Sequence, residues 1–276
     1  MSPGKLKIDQ HLESLRVRPG EKPKLAKYDT RDTFGWEKEA AKAELLAVVD
    51  EIDQLQQRLY AEAKRSLLFV IQAMDAAGKD GTIRAVTAGL NPAGVNVSSF
   101  KVPGGPETQH DYLWRIHAAC PPKGEIGIFN RSHYEDVLVV RVKNLVPADR
   151  WQKRYQQIAD FERMLGDEGT RVVKVFLNVS KDEQRQRFQD RLDDPDKRWK
   201  FRAGDLDDRK LWPDYMRAYE AALSRTSTTA APWYVIPADR NWVRNLLVAR
   251  LLRDTLRDMD PQFPEPEIGT EQITIT

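Results

Sequence analysis

The chain has 276 residues, 41% of them hydrophobic and 31% charged, with a formal net charge of +2. That length suits one large α/β domain or two small ones. The near-neutral balance leaves no bulk electrostatic footprint for nucleic acid, so an anion site must come from local clustering. The single cysteine, Cys120, excludes an intramolecular disulfide and an all-cysteine zinc site. The start Met1-Ser2-Pro3-Gly4-Lys5 is polar, unlike an export signal, and no apolar run approaches a membrane span. A cytoplasmic protein without membrane or nucleic-acid partners is expected.

Residues 1 to about 36 carry many charges, Pro3, Pro19 and Pro23, and no sustained periodicity; they read as an arm lying on the body or on a neighbouring subunit. From Trp36 to about Ala63, Leu45, Val48, Val49, Ile52, Leu55 and Leu59 recur at three- and four-residue steps, the stripe of a core-facing helix. Leu67 to Ile71 reads as a buried strand. After it come small residues and glycine, then a helix. Asn91-Pro92-Ala93-Gly94 breaks the chain before a short strand, Val95 to Phe100. Glu107 to Ala119 reads as a helix, with His110 and His117 on one face as structural residues. Gly127-Ile128-Phe129 ends a third strand. Trp151 to Leu165 is a helix and Arg171 to Val179 a continuous β-branched strand. Ser180 with Glu183 forms a capping-box signature for the next helix, which runs to about Leu192. A mixed, strongly basic insert follows, then a helix from Trp212 to Leu223, a strand at Trp233 to Ile236, and a last helix from Val243 to Met259. This alternation predicts an α/β fold with a mainly parallel sheet. One domain over 1–276 is expected: arm and helix 1–60, core 61–192, lid 193–225, final strand and helix 226–260, and a polar tail 261–276.

The chemistry concentrates in three stretches. Met74-Asp75-Ala76-Ala77-Gly78-Lys79-Asp80-Gly81-Thr82 has the order of a phosphate-binding loop: strand, glycine turn, helix start. It departs from G-x-x-x-x-G-K-[ST]: Ala73 takes the first glycine's place, Asp80 that of the magnesium-binding hydroxyl, and Thr82 comes two residues late. Lys79 is expected to be exposed at the helix start. The second stretch, Asn130-Arg131-Ser132-His133-Tyr134-Glu135-Asp136, follows the third strand, on the side where open parallel sheets bind ligands. The third is the insert with Lys197, Arg198, Lys200 and Arg209. Carboxylates beside a lysine and arginines suit phosphoryl transfer. Magnesium takes hard oxygen ligands, so Asp75 and one of Glu135 or Asp136 are the candidate ligands. Lys79 and the arginines would offset charge on the moving phosphoryl group. Glu135 and Asp136 are neighbours and diverge on a helix, leaving open which one binds metal. His133 is expected to pack or hydrogen-bond rather than act as a base.

With those stretches in view, the chain resembles the polyphosphate kinase 2 family of bacteria. The matching pieces are Met74 to Gly81, Ser99-Phe100-Lys101-Val102-Pro103, His110 to Arg115, Ile128 to Leu138, Pro195 to Phe201, and Thr226 to Asp239, spread over residues 28 to 257. The resemblance implies a three-layer P-loop kinase fold like that of thymidylate kinase. It implies Mg²⁺-dependent transfer, with Mn²⁺ as a substitute, between inorganic polyphosphate and a nucleotide: AMP or ADP, or their guanine equivalents. The family's loop aspartate and lysine fall on Asp75 and Lys79, the arginine of its second motif on Arg131, and that motif's acid on Asp136, so Asp75, Lys79, Arg131 and Asp136 are the expected catalytic set, with metal on Asp75 and Asp136. Phosphate and substrate contacts are expected from Ala76, Ala77, Gly78, Asp80, Gly81, Thr82, Lys101, Asn130, Glu135, Lys197, Arg198, Lys200 and Arg209. Diphosphate-preferring members have Asp-Arg-Ser where this chain has Asn130-Arg131-Ser132, and the form here is similar to the subgroup accepting both AMP and ADP. A homodimer or homotetramer is implied. The competing readings are an ATP-dependent nucleotide kinase on the same fold and a non-catalytic polyphosphate- or nucleotide-binding protein. The basic insert favours polyphosphate, because a polyanion without a base needs a positive track.

Overall fold

The computed structural model describes residues 10–266. In chain order the elements are α1 (Gln10–Leu15), β1 (Arg16–Val17), α2 (Lys38–Glu62), β2 (Ser66–Ala73), α3 (Lys79–Val86), β3 (Val95–Ser99), α4 (Trp114–Ala118), β4 (Ile126–Asn130), α5 (Val139–Val142), α6 (Ala148–Asp167), β5 (Thr170–Asn178), α7 (Lys181–Asp193), α8 (Ala203–Lys210), α9 (Trp212–Thr226), β6 (Trp233–Pro237) and α10 (Asn241–Met259). The sheet order is β1-β6-β5-β2-β4-β3; β2 to β6 run parallel, and β1 pairs antiparallel with β6.

β2 is buried at every position and β5 at all but Arg171, as apolar runs require when both sheet faces are covered. Helices α2, α3 and α10 pack together as one layer and α5, α6 and α9 as the other. The periodic stripe of α2 supplies Val48, Val49, Ile52, Leu55 and Leu59 to the core. The helix stops where Ala63 turns left-handed at φ +51°. Ser180 caps α7 as its sequence indicates, its hydroxyl accepting from the Glu183 amide at 3.1 Å. The α/β class and the mainly parallel sheet expected from the alternation are therefore present.

Two elements differ from expectation. The arm is not featureless: Arg16 and Val17 add a two-residue edge strand, far too short to leave a periodic signal. The helix expected over 107–119 shrinks to α4. Ahead of it, the Glu107 carboxylate turns back to the Gly104 amide at 3.2 Å and the Asp111 carboxylate accepts from the Leu113 amide at 2.9 Å. These local bonds compete with helix propagation. His110 and His117 therefore do not share a helix. His110 stacks on Trp114 and His117 meets the ring of Phe161 edge-on. The far end of the expected tail, 267–276, lies outside the described residues, as does the start of the arm, 1–9.

Because the chain leaves β2 toward β3 and β4 on one side and returns to β5 and β6 on the other, the carboxyl end of β2 is the topological switch point. Ligands in open α/β sheets bind at such crevices. No helix among the described residues is long and apolar enough to cross a membrane.

Candidate active site at the switch point

β2 gives way to the loop 74–78, and α3 starts on Gly78 as its N-cap. Ala76 and Gly78 adopt φ +61° and +100°. Glycine is required at 78 on two counts. Few L-residues adopt that φ, and a Cβ there would lie 2.1 Å from the Arg244 guanidinium. The loop is fastened by its carbonyls. Arg187 Nη1 donates to Ala76 O and Ala77 O, both at 3.0 Å, and its Nη2 donates to Ala238 O at 2.7 Å and Asp239 O at 2.8 Å. Arg244 Nη1 donates to Ala77 O at 2.9 Å, and Gln184 Nε2 to Asp75 O at 2.9 Å. The N–H groups of Asp75, Ala76 and Gly78 donate to no group among the described residues. A turn held by its carbonyls with its amides unspent is a nest for an anion.

Lys79, the first residue of α3, is buried rather than exposed as the sequence suggested. Its side chain doubles back, and Nζ donates to Ala73 O at 3.0 Å and Met74 O at 3.3 Å. Burial depresses its pKa, with Asp75 pulling the other way. Burial also opposes the charged form of Asp75, but Lys79, Arg131 and Arg191 outweigh it and hold the carboxyl below its ordinary range.

The second motif begins as β4 ends. Asn130 Nδ2 donates to Asp80 Oδ1 at 2.7 Å, the Arg131 amide donates to Ile71 O at 3.1 Å, and Arg131 Nη2 reaches Asp75 Oδ1 at 2.5 Å. A short turn over 133–136, capped by Ser132, then splits the two acids. Glu135 turns toward the end of β2, where the Gln72 amide, in the orientation that satisfies both of its ends, donates Nε2 to Glu135 Oε1 at 3.0 Å. Burial raises its pKa more than Arg131 and Lys79 lower it. Asp136 turns the other way and accepts from Arg154 Nη1 at 2.8 Å. Burial pushes it up to about 6, against the pull of Arg154 and Arg115. The acid that shares the field of Asp75, Lys79 and Arg131 is Glu135; the structure does not bring Asp136 to them.

The family model of polyphosphate kinase 2 matches residues 18–264. The chain belongs to the polyphosphate kinase 2 family. It is 57% identical over 266 residues to the AMP/ADP-polyphosphate phosphotransferase of Meiothermus ruber, covering 96% of this chain and 100% of that one. It is 46% identical to the ADP-polyphosphate phosphotransferase of Rhodopseudomonas palustris, covering 92% of each. The crystal structure of polyphosphate kinase 2 from Arthrobacter aurescens TC1 superimposes with a TM-score of 0.91 at 42% identity, over 96% of this chain and 95% of that one.

In this family member the lid cations do not line up as the sequence suggested. Lys197 lines a cleft of 540 Å³ beside Gly78, where its ammonium meets Asp194 at 2.6 Å. Arg198 Nε is spent on Leu192 O at 2.7 Å, Lys200 lies over the Trp199 ring, and Arg209 binds Lys181 O at 2.6 Å and Gln184 Oε1 at 3.1 Å. The cleft's other cations are Arg187 and Arg191 of α7, Arg240, which precedes α10, and Arg244 within it, with Trp242 beside them. Arg244 is pushed down to about 9 by burial and by Arg187. Sequence reasoning missed all four arginines. Their signal was present as two pairs at i,i+4 spacing, one within the helix after the fourth parallel strand and one at the start of the helix after the fifth. Of the remaining expected contacts, Thr82 is buried with Oγ1 3.3 Å from Asn245 Oδ1. Gly81 faces Arg244. Lys101 is exposed and contributes its carbonyl to Arg115 Nη1 at 2.8 Å.

Proposed function

We propose that this protein transfers the terminal phosphoryl group between inorganic polyphosphate and AMP or ADP, with guanine nucleotides as alternative acceptors. The observation that carries this reading is the division of the site by the glycine loop. On the α7 and α10 side lies the cleft with Arg187, Arg191, Lys197, Arg240 and Arg244. On the β4 side lie Asn130, Arg131 and Glu135. Five cations against the three acids Glu183, Asp190 and Asp239 leave the cleft net positive, which suits a chain bearing about one charge per phosphate, and the names of the relatives point the same way. Trp242 gives the cleft one flat face, which an ATP donor would use for its base, so ATP is the competing donor.

Transfer needs no nucleophilic side chain. A terminal oxygen of the acceptor phosphate forms the new P–O bond as the bridging P–O bond of the polyphosphate breaks, and the shortened chain leaves with the electron pair. The loop amides and Lys79 hold the phosphates, while Arg131 offsets charge that builds on the equatorial oxygens. Among the described residues no three His, Cys, Asp or Glu side chains converge. A pair of carboxylates fits Mg²⁺ or Mn²⁺, because such ions take their remaining ligands from phosphate and water. Asp75 and Glu135 would hold the ion, which when bound would supply positive charge that offsets the negative charge of the phosphates.

Glu135→Gln is expected to raise the Mg²⁺ concentration for half-maximal rate by about tenfold or more, as loss of one hard ligand should, whereas Asp136→Asn should leave it near wild type. A magnesium titration of each variant reads this directly, and the reverse pattern returns the metal to Asp136.

The donor side is tested by Arg191→Gln combined with Arg240→Gln. The KM for long-chain polyphosphate should rise on the order of tenfold, with the KM for ADP little changed. The salt dependence of polyphosphate use should flatten, since screened attraction has been removed. Unchanged polyphosphate affinity at low and high salt would move the donor out of this cleft.

A further inference from the structure

Arg131 is the one residue of the second motif with a left-handed backbone, at φ +63°. A long side chain adopts that conformation only where its surroundings impose it. The Arg131 amide is held by Ile71 O, and the residues after it lead straight into a buried polar network that the transfer itself does not use. Glu162 of α6 pairs with Lys174 of β5, and both side chains are fully buried. The Tyr134 hydroxyl donates to Glu162 Oε1 at 2.8 Å and accepts from Lys174 Nζ at 3.0 Å. Lys174 Nζ also donates to Thr226 O at 2.8 Å, and His133 Nε2 lies 3.2 Å from Glu162 Oε1. Thr226 Oγ1 of α9 lies 2.9 Å from the same hydroxyl, so the 133–136 turn, α6, β5 and α9 meet at it.

Stability alone does not account for this arrangement. A buried ion pair is commonly no better for stability than apolar residues of the same volume. It does impose direction, because each member has few geometries that satisfy it. Tyr134 lies three residues after Arg131 and one before Glu135, so fixing its hydroxyl fixes the turn that aims both side chains at the loop.

We propose that the buried Lys174–Glu162 pair, acting through the Tyr134 hydroxyl, is a positioning device that holds Arg131 against Asp75 and Glu135 toward the glycine loop. This rests on the phosphotransfer reading above. Tyr134→Phe removes one oxygen and keeps the ring, which packs against Trp233. The folded variant, checked by circular dichroism and a thermal melt, should lose about tenfold or more in kcat at 25 °C. Its KM values for polyphosphate and nucleotide should stay within about threefold, the signature of an interaction realised in the transition state. A residue that only stabilised the fold would lower the melting temperature and leave the kcat of the folded protein alone. Wild type is assayed alongside: no transfer by wild type sinks the reaction, whereas active wild type with an equally active Tyr134→Phe overturns the positioning role. Should Tyr134→Phe fail to fold, the double variant Glu162→Gln with Lys174→Met removes both charges at similar length. The same split, kcat down and KM held, supports the proposal, and wild-type kcat overturns it.

Discussion

Replacing Lys79 with methionine is expected to lower phosphoryl transfer by at least about a hundredfold while the protein stays folded. Removal of one preorganised charge donor from a transition state typically costs on the order of 3 kcal/mol. The Lys79 ammonium is confined to the loop, where it already lies 3.0 Å from Ala73 O and 3.3 Å from Met74 O. Its burial is the reason to choose methionine. Alanine would leave a hole under the loop and confound charge with packing, whereas methionine keeps the unbranched stem. Removal of the ammonium also takes a donor from Ala73 O and Met74 O, a cost of about 1–3 kcal/mol, so stability is read beside the rate. Turnover and a thermal melt on the same preparation decide the matter; near-wild-type turnover in a folded variant takes the loop out of the mechanism.

Gly78→Ala is expected to damage both stability and activity. A Cβ at 78 would sit 2.1 Å from Arg244 Nη1 and 2.7 Å from its Cζ, and φ is +100°. The guanidinium cannot swing aside freely, because it is buried and its Nη1 is bonded to Ala77 O. Left-handed backbone costs roughly 1–2 kcal/mol, and overpacking adds about 1–3 kcal/mol. At about 2–4 °C per kcal/mol for a chain of this size, the melting temperature should drop by roughly 4–20 °C. Turnover should fall by about tenfold or more, since an ångström of displacement at a reacting centre has that order of effect. Calorimetry with steady-state rates checks both. An unchanged melt would mean that the loop is not packed against Arg244.

Much of this was legible in the sequence, for identifiable reasons. The buried runs of β2 and β5, the stripe of α2 and the Ser180 cap are local signals, and each became the element it indicated. The glycine loop and the motif after Phe129 converge because parallel strands place both at one edge of the sheet. What stayed hidden depends on chain segments far apart. Arg187 and Arg244 enter the site only because α7 and α10 return to the loop through strands β5 and β6. The burial of Lys79 follows from a side chain folding back on its own loop, which helix position alone does not disclose. The sequence left Glu135 and Asp136 open as ligands. A single 3-10 turn behind Ser132, rather than an α-helix, sends one toward Gln72 and the other toward Arg154.

The most direct test of the account is to incubate the purified protein with Mg²⁺, long-chain polyphosphate and either AMP or ADP, and to separate the nucleotides by chromatography. The account predicts ADP and ATP from AMP, and ATP from ADP, with polyphosphate shortened in step and no product when polyphosphate or the metal is withheld. Transfer that proceeds from ATP and never from polyphosphate would contradict it.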